Sequence, residues 1–448
     1  MTKRFLLLII ACWLLSCKDN NEPILVSAED LHQSIQTVTD IMVHDIFSPP
    51  VASRIFAYPN IAAYEIMALD HVEYNSLAGQ VTDLTAIPQP EADTPINYEV
   101  SSLVAHMELS RRLIFSEKDL LAYRDSLYQQ WETKNPRLFK ASKTYGLQVA
   151  EHIAAWMNKD NYNQTRTMQK YTVDTDDPSR WQPTPPAYMD GIEPHWGKIR
   201  PFTLDSANQF TPVAAPEFSM EKDSDFYKEV MEVYEISNEI TQKGDDSEEI
   251  AIAQFWDCNP YVSVTRGHLM FATKKISPGA HWIGITKIAC KMTEADFAQT
   301  IYAYTKTSMA IADAFISCWD EKYRSNLIRP ETLINQYIDE NWIPVLQTPP
   351  FPEYTSGHSV VSGAAATALT AIFGDNFAFD DDTEVPFGLP IRSFKSFIHA
   401  AEEAAASRLY GGIHYRSAVE LGYDQGTDLG EYVVNKLSMK NSSALTDN

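Results

Sequence analysis

The stretch PPFPEYTSGH, residues 349–358, leads from a proline-rich segment into a run of small and apolar residues that extends to Leu369. Proline cannot continue a helix, whereas a serine often opens one because its side chain caps the free N–H groups of the first turn. The sequence therefore predicts a helix that begins at Ser356 and Gly357. Free N–H groups and the helix dipole at such an end favour an oxyanion.

Two cationic residues precede this stretch. Lys322 and Arg329 are seven residues apart, which corresponds to about two helical turns. That spacing predicts a single helix that directs both side chains at one point, with Pro330 ending the helix or capping its exit.

A third cation and a histidine follow it. Arg408 comes directly after Ser407, and His414 lies six residues beyond the arginine. Each of these residues alone is typical of an ordinary surface or core position. Together with Lys322, Arg329 and His358 they predict a site that holds a tetrahedral, multiply charged anion, because an acidic protein has little other reason to gather cations.

The overall composition supports this interpretation by exclusion. The 448 residues include 36 Lys+Arg and 60 Asp+Glu, which gives a formal net charge of −24. This balance excludes a basic nucleic-acid surface and disfavours binding to an anionic membrane. Hydrophobic residues make up 44 % and charged residues 21 %, so the chain has the composition of a globular protein.

The pattern along the chain predicts an all-α protein. Apolar residues recur at helical spacing from about Ser27 to Lys159 and from Phe226 onward, and no series of alternating strands is evident. Eight prolines between Asp174 and Pro216 predict a long connection packed between two helical halves. Further helices are predicted over Thr293–Trp319, Ser356–Phe373, Ile391–Arg408 and His414–Lys436.

The N-terminus has the pattern of a targeting segment. Lys3 and Arg4 precede an apolar run of 11 residues, Phe5–Leu15, which is too short to span a bilayer. The sequence Leu-Leu-Ser-Cys that ends at Cys17 resembles a bacterial lipobox. We expect a lipoprotein signal over residues 1–17, with a lipid anchor on Cys17 and export to the outer membrane, on the periplasmic or cell-surface side. An ordinary secretory signal is the alternative.

Residues 18–26 are predicted to form a polar tether, and residues 438–448 a polar tail. The wide spacing of the remaining cysteines predicts buried apolar residues rather than a disulfide framework or a zinc knuckle; they are Cys258, Cys290 and Cys318. The acidic run Asp380–Asp382 with Glu384 is predicted to be a solvated loop, and calcium binding there stays open.

The order and spacing of the site motifs resemble a known superfamily. The chain contains Lys followed after six residues by Arg-Pro, then Ser-Gly-His, and then Ser-Arg followed after five residues by His. This pattern is similar to the shared site of the type-2 phosphatidic acid phosphatases and the vanadium-dependent haloperoxidases. The motif covers about 95 residues, from Lys322 to His414. Trp319 and Phe351 resemble the halide-side wall of haloperoxidases. The elongated helical N-terminal half resembles that of the flavobacterial vanadium iodoperoxidases.

The resemblance implies a fold of two helical bundles side by side over residues 27–437. The N-terminal half would be 27–245, and the C-terminal half, 246–437, would carry the site. Tyr261 is expected to approach the arginines from a preceding helix. The sequence does not give the oligomeric state.

The resemblance also implies a cofactor, vanadate, which phosphate can mimic. His414 would bond vanadium, and His358 would act as acid–base group toward hydrogen peroxide. Lys322 would polarise the bound oxidant before the halide attacks it, giving hypohalous acid. The residues expected to hold the vanadate oxygens are Lys322, Arg329, Ser356, Gly357 and Arg408.

Two departures from the family pattern leave questions open. Thr355 stands where many members have proline, and Ala418 stands where many have an aspartate that orients the final histidine. Glu420 or a main-chain carbonyl could orient His414 instead. The altered surroundings and the resemblance favour iodide over bromide and chloride. The alternatives are a secreted acid phosphatase with His414 as nucleophile, and a non-catalytic lipoprotein with a relic site.

Overall fold

The computed structural model describes residues 21–244, 247–266, 269–272 and 274–441. The signal segment, Cys17 and the first part of the predicted tether lie outside the described residues. Within them the chain is predominantly helical, which confirms the predicted all-α class. No helix in these ranges combines the length and apolarity that crossing a membrane requires.

Fourteen α-helices occur in the described residues. They are α1 Ala28–His44, α2 Pro49–Asp70, α3 Tyr98–Leu113, α4 Lys118–Lys134, α5 Pro136–Met157, α6 Tyr162–Thr165, α7 Asp225–Lys243, α8 Glu248–Phe255, α9 Pro278–Met292, α10 Phe297–Ser325, α11 Pro330–Tyr337, α12 Gly357–Phe373, α13 Phe397–Tyr410 and α14 Arg416–Lys436. Two short 3₁₀ helices span Trp196–Lys198 and Val385–Phe387.

Two small antiparallel sheets accompany the helices. The pairs are β1 Ser263–Arg266 with β2 Leu269–Ala272, and β3 Phe379–Asp381 with β4 Arg392–Phe394. The helix predicted from Ile391 is therefore wrong over its first residues, because β4 occupies them. Strands of three or four residues are too short to show an alternating pattern in sequence.

Helix α10 joins the two halves of the molecule. It packs against α2 on one side and α12 on the other; α2 packs in turn on α3, and α12 lies against α13 and α14. One continuous apolar core runs through both sets of helices. The two bundles thus share a central helix, which explains why 24 of the 29 residues of α10 are buried.

The proline-rich segment packs between the halves, as predicted. Trp181 and Trp196 are buried within it, and the carboxylate of Asp313 on α10 accepts hydrogen bonds from the Phe202 and Thr203 N–H groups at 2.7 Å. The Ile192 carbonyl accepts hydrogen bonds from two α10 side chains. The segment therefore holds the outer face of α10 in place.

The packed chain extends beyond both predicted limits. Ile24 and Val26, assigned to the polar tether, are buried, and Met439, assigned to the polar tail, is 1 % exposed. The Asn75 N–H donates to the Met439 carbonyl at 2.9 Å. Apolar residues at alternate positions of a short segment suffice to attach it to the core.

The acidic loop is only partly solvated. Asp380 and Asp382 are exposed, but Asp381 and Glu384 are buried. The prediction of a solvated loop is therefore wrong for the latter two. The three cysteines predicted to be buried are buried and free.

Candidate active site

The N-terminus of α12 forms the floor of the site. Ser356 caps the helix, as predicted: its Oγ accepts hydrogen bonds from the Ser359 N–H at 3.3 Å and from the Ser359 hydroxyl at 2.9 Å. A Cβ added to Gly357 would lie 3.4 Å from the Trp319 ring and 3.9 Å from Cε of Lys322. A small residue at this position keeps space open between the helix end and the cations.

Lys322 lies in the last turn of α10 and is completely buried. Its ammonium group donates to the carbonyl oxygens of Pro352 and Glu353 at 3.0 Å and of Thr355 at 2.5 Å. Burial lowers the pKa of Lys322 to about 8. The hydrogen bonds of this cation thus go to neutral main-chain oxygens.

Arg329 reaches the same place from a different element. The prediction that one helix carries Lys322 and Arg329 is wrong, because α10 ends at Ser325 and Pro330 opens α11. Arg329 precedes α11 in extended conformation and donates to the carbonyls of Phe351 at 2.9 Å and Ile413 at 2.8 Å. Its Nη2 has no hydrogen-bond partner. Burial lowers the pKa of Arg329 to about 10.

Arg408 approaches from the last turn of α13. Its Nε donates to the Ser407 hydroxyl at 2.8 Å, and its Nη2 donates to the Trp256 carbonyl at 2.7 Å and the Ala253 carbonyl at 3.3 Å. Burial lowers the pKa of Arg408. The third cation, like the other two, is held by neutral oxygens.

His414 is fixed on both ring nitrogens. Its Nδ1 lies 2.7 Å from Oε1 of Glu353, and its Nε2 lies 3.0 Å from Nη1 of Arg329. An arginine can only donate, so Nε2 must accept and Nδ1 must carry the proton. Burial, followed by the charges of Arg329 and Lys322, holds the pKa of His414 well below its usual value. The imidazole is therefore neutral, with its lone pair on Nε2.

Glu353 is the residue that orients His414, and the sequence analysis did not identify it. The same Oε1 also accepts the Tyr415 N–H at 3.0 Å, while Oε2 has no partner. Burial raises the pKa of Glu353 to about 8, although Arg329 and Lys322 lower it. Its only signal in sequence was its position as the single acidic residue of the stretch 349–358.

The predicted candidates for this orienting role are wrong. Glu420 is exposed and pairs with Arg416 at 3.3 Å. A main-chain carbonyl does not orient the His414 ring either, because its two nitrogens are taken by Glu353 and Arg329. The loss of a carboxylate at position 418 is thus compensated from a different segment.

His358 borders the same space from the first turn of α12. Its Nε2 is buried and has no hydrogen-bond partner. Burial and the charges of Arg408 and His281 hold the pKa of His358 well below its usual value, although a hydrogen bond with the Trp256 backbone raises it. The ring is therefore neutral and able to accept a proton.

Several of these residues border one small cavity of about 30 Å³. Gly357, His358, Arg408 and His414 contribute to its wall, and one side of it is aromatic. The Trp319 and Phe351 rings lie 5.0 Å apart, and Nζ of Lys322 lies 5.1 Å from the Phe351 ring centroid. Both predicted wall residues therefore line the cavity beside the cations.

Tyr261 also lines the cavity, in the turn that follows α8. Its pKa is raised by burial, and a hydrogen bond with Ser48 opposes this. Its carbonyl accepts a hydrogen bond from Gln347 at 3.1 Å. Pro49 at the start of α2 also lines the cavity, so the N-terminal half contributes to its wall, and Tyr261 lies in a turn rather than on the helix from which it was expected to approach the arginines.

The site has more positive than negative charge. Among the described residues, Lys322, Arg329 and Arg408 form no salt bridge within 4.0 Å; the charge of Glu353 acts on the first two, and that of Asp257 on Arg408. Buried charges are normally paired. Here three buried cations lack ion-pair partners, and two polar atoms beside them, Nη2 of Arg329 and Nε2 of His358, have no hydrogen-bond partner. A helical protein with this arrangement is suited to binding an oxyanion.

Comparisons with known proteins agree with this class. Residues 302–442 match the family model of the VCPO second helical-bundle domain. The crystal structure of a bacterial vanadium-dependent iodoperoxidase is 69 % identical, with a TM-score of 0.91, over 94 % of this chain and 99 % of that one. No match was found among curated proteins.

Two further structures share the fold. A holo-type bacterial vanadium-dependent chloroperoxidase is 18 % identical over 87 % of this chain and 92 % of that one, and the apo-type form is 16 % identical over 87 % and 94 %. Both have a TM-score of 0.63. The chain belongs to the family of vanadium-dependent haloperoxidases, whose cofactor is vanadate, which confirms the predicted family.

The residues present fit that group. Vanadate is a tetrahedral oxyanion in solution. Its oxygens need cationic hydrogen-bond donors, and its vanadium atom needs one neutral nitrogen as a ligand. The free Nη2 of Arg329 and the lone pair on Nε2 of His414 supply both kinds of atom. Gly357 leaves the required space next to Trp319 and Lys322.

Proposed function

We propose that this haloperoxidase uses hydrogen peroxide to oxidise iodide to hypoiodous acid, with bromide as a poorer substrate. The observation that carries the proposal is the position of the His414 lone pair among three buried cations that lack carboxylate partners. Bound vanadate would supply a Lewis acid that activates peroxide, and the oxidation state of vanadium would not change. The protein itself provides the groups for anion binding and proton transfer.

His414 and Glu353 act as one unit in this proposal. The Nδ1–H bond to Glu353 would direct the Nε2 lone pair at the metal, and Glu353 in its ionised form would make that nitrogen a stronger ligand. If Nε2 bonded the metal, Arg329 would donate to the anion instead of to that nitrogen. Arg329 would then have a charged acceptor in place of a neutral one.

Lys322, Arg329 and Arg408 hold the oxyanion, together with the Ser356 hydroxyl and the Gly357 N–H. Hydrogen bonds between charged groups contribute about 1.5–3 kcal/mol each. The carbonyl groups around Lys322 position its ammonium group without neutralising it, so it polarises the oxidant bound next to it.

His358 moves the proton. Its ring is neutral and its Nε2 is free, so it accepts a proton from incoming hydrogen peroxide and returns one to the leaving oxygen. Burial and the cations that surround it oppose its protonation, so the ring is unprotonated at ordinary pH, although the same effects make it a weaker base.

The similarity to the iodoperoxidase supports iodide as the preferred halide. The aromatic wall formed by Trp319 and Phe351 does not by itself select a halide, because the same residues resemble those of chloride-oxidising members. Ala418 does not bear on the choice either, since Glu353 supplies the carboxyl group that Ala418 lacks. Iodide is also the easiest of the three halides to oxidise.

Steady-state rates with iodide, bromide and chloride at matched concentration test the proposal. We expect rapid turnover of iodide, weak turnover of bromide and none of chloride. His414→Ala should abolish oxidation even with excess vanadate, because no other side chain replaces its bond. Comparable turnover of chloride would overturn the halide assignment.

The phosphatase alternative is tested in the same experiment. If the protein were a phosphatase, His414 would attack a phosphate ester and His358 would protonate the leaving alcohol. Hydrolysis of an ester without any halide oxidation would establish it, whereas loss of both activities with intact anion binding would indicate a relic site.

We propose further that the protein is exported and held at a membrane by a lipid on Cys17. The lipobox-like sequence and the short apolar run Phe5–Leu15 support this. Detergent should be needed to release the wild-type protein from cells, whereas a Cys17→Ser variant should not be held at the membrane. Equal release of the two would rule out the anchor.

A further inference from the structure

A second cluster of chemically active side chains lies behind the cavity wall. Cys258 follows α8, His281 lies in the first turn of α9, and Glu384 precedes the second 3₁₀ helix. Their exposed fractions are 1 %, 0 % and 4 %. The proposed peroxidase mechanism uses none of the three.

The ligand atoms form a compact triangle. Sγ of Cys258 lies 3.4 Å from Nδ1 of His281, and that nitrogen lies 3.4 Å from Oε1 of Glu384. The remaining side, from Sγ to the same Oε1, is 3.9 Å. A triangle with these sides has its centre about 2.1 Å from each corner, close to the zinc–ligand distances of about 2.0–2.3 Å.

The 3.4 Å between Nδ1 of His281 and Oε1 of Glu384 is too long for a strong hydrogen bond, and all three distances are short enough for shared ligation. A charge-assisted hydrogen bond to a carboxylate measures about 2.7–2.9 Å. Glu384 is buried without such a bond from either neighbour, and the nearby Lys275 forms its salt bridge with Asp257 instead. A cation at the centre would satisfy all three side chains.

The surroundings of His281 are those of a metal ligand. Its other ring nitrogen, Nε2, lies 2.9 Å from Oδ2 of Asp381, and a carboxylate at this position commonly orients ligating histidines. Asp381 is itself held by the Thr383 N–H at 3.0 Å. The Trp256 ring stacks on the imidazole at 4.4 Å.

We propose that Cys258, His281 and Glu384 bind a zinc ion, with a water molecule as the fourth ligand. Thiolate, imidazole and carboxylate together suit zinc, and binding displaces the thiol proton to solvent. The ion enters through the surface groove that Glu384 lines. It is distinct from the vanadate, because none of its three ligands is among the residues proposed to hold that anion, although Cys258 borders the same cavity.

The ion ties the loop that carries Asp381 and Glu384 to the wall of the active-site cavity. Cys258 lines that cavity, and the Trp256 carbonyl two residues earlier accepts the hydrogen bond from Arg408. Zinc therefore supports the position of one vanadate-binding cation without contacting the anion.

Metal content of the vanadate-free, full-length mature protein tests the proposal. After equilibration with zinc and removal of the excess, we expect close to one zinc per chain in the wild type. Cys258→Ser and Glu384→Gln should each retain at least tenfold less. Cys290→Ser, a change at another buried cysteine, is the matched control and should retain zinc fully. Equal zinc in the wild type and Cys258→Ser would overturn the proposal.

Cobalt(II) provides an independent readout that does not depend on activity. Cobalt bound in place of zinc should give a thiolate-to-metal absorption band that Cys258→Ser lacks and that His414→Ala keeps. Loss of the band in His414→Ala, or its absence from the wild type, would overturn the proposed site. Neither result depends on whether the protein oxidises iodide, so the two proposals fail separately.

Discussion

At the scale of single residues, the site depends on which groups hold His414. Its ring lies between an arginine that can only donate and a carboxylate that accepts, so the tautomer is determined by its neighbours. Glu353 comes from the segment before α12, whereas His414 follows α13. The pairing thus joins two parts of the chain that are 61 residues apart.

At a pH above about 8, where Glu353 is ionised, Glu353→Gln should weaken vanadate binding by about 10- to 100-fold, the usual cost of losing a partner that orients a metal ligand. The amide keeps the shape of the side chain but cannot ionise, so it cannot strengthen the imidazole as a ligand. Equilibrium dialysis against vanadate measures the change. Glu420→Gln, at the exposed residue that the sequence suggested, is the control and should bind as the wild type does; equal loss in both variants would contradict the assignment.

Anion affinity should fall as the pH rises through about 8. Lys322 has its pKa lowered to about 8, so it loses its positive charge above that pH. Glu353 has its pKa raised to about 8, so it gains a negative charge over the same range. Both changes oppose an anion. Each of the two groups should lower the affinity for the anion by up to about tenfold for each pH unit.

Sulfate is the appropriate probe because its charge is constant over this range. Titration calorimetry at several pH values should show the fall in the wild type and a shallower fall in Lys322→Gln. The pKa of Lys306 is also lowered to about 8, but Lys306 lies outside the site, so Lys306→Gln should keep the slope of the wild type. An affinity that stays constant with pH would refute this prediction.

At the scale of secondary-structure elements, the position of α12 is determined by its contact with α14. A Cβ at Gly426 would lie 2.1 Å from the Val360 carbonyl oxygen, and one at Gly363 would lie 2.8 Å from the Tyr423 carbonyl oxygen. The two helices therefore touch backbone to backbone. This contact fixes the N-terminus of α12, where Ser356 and Gly357 contribute to the site.

Gly426→Ala should lower the free energy of unfolding by about 1–3 kcal/mol, the usual cost of overpacking, and should weaken sulfate binding as α12 is displaced. Denaturant unfolding followed by calorimetry measures both effects. Asp428→Ala, on the exposed side of the same helix, is the control and should change neither. Unchanged stability in Gly426→Ala would show that the helices can separate without consequence.

The sequence predicted helices well where their ends are marked. The start of α12 follows from a serine cap after prolines, and that prediction is confirmed. The prediction that one helix carries both Lys322 and Arg329 is wrong, because helical spacing cannot reveal that Asn326 ends α10 in a left-handed conformation. Glu353 escaped prediction, and Asp381 and Glu384 were wrongly predicted to be solvated, for a related reason: an acidic residue shows its partner only after the chain has folded.

At the scale of the whole molecule, the anion site lies where several helices meet. Lys322 comes from α10, which both halves share, whereas Arg408 comes from α13 and Ser356 from α12. Buried cations repel one another, so the protein without an anion carries an unfavourable electrostatic energy at the place where these helices meet. A bound anion removes this repulsion and links the helices.

Phosphate or vanadate should therefore raise the unfolding temperature of the anion-free protein. Ligand at about 100 times its dissociation constant adds about 2.7 kcal/mol to the free energy of unfolding. Differential scanning calorimetry with chloride at equal ionic strength separates specific binding from screening. Lys322→Gln should show a smaller increase, because one of the repelling charges and one ligand contact are both absent. If saturating vanadate left the wild-type transition unchanged, the three cations would not form an oxyanion site. The stabilisation should persist in Cys258→Ser, since the zinc ligands lie outside the cationic cluster.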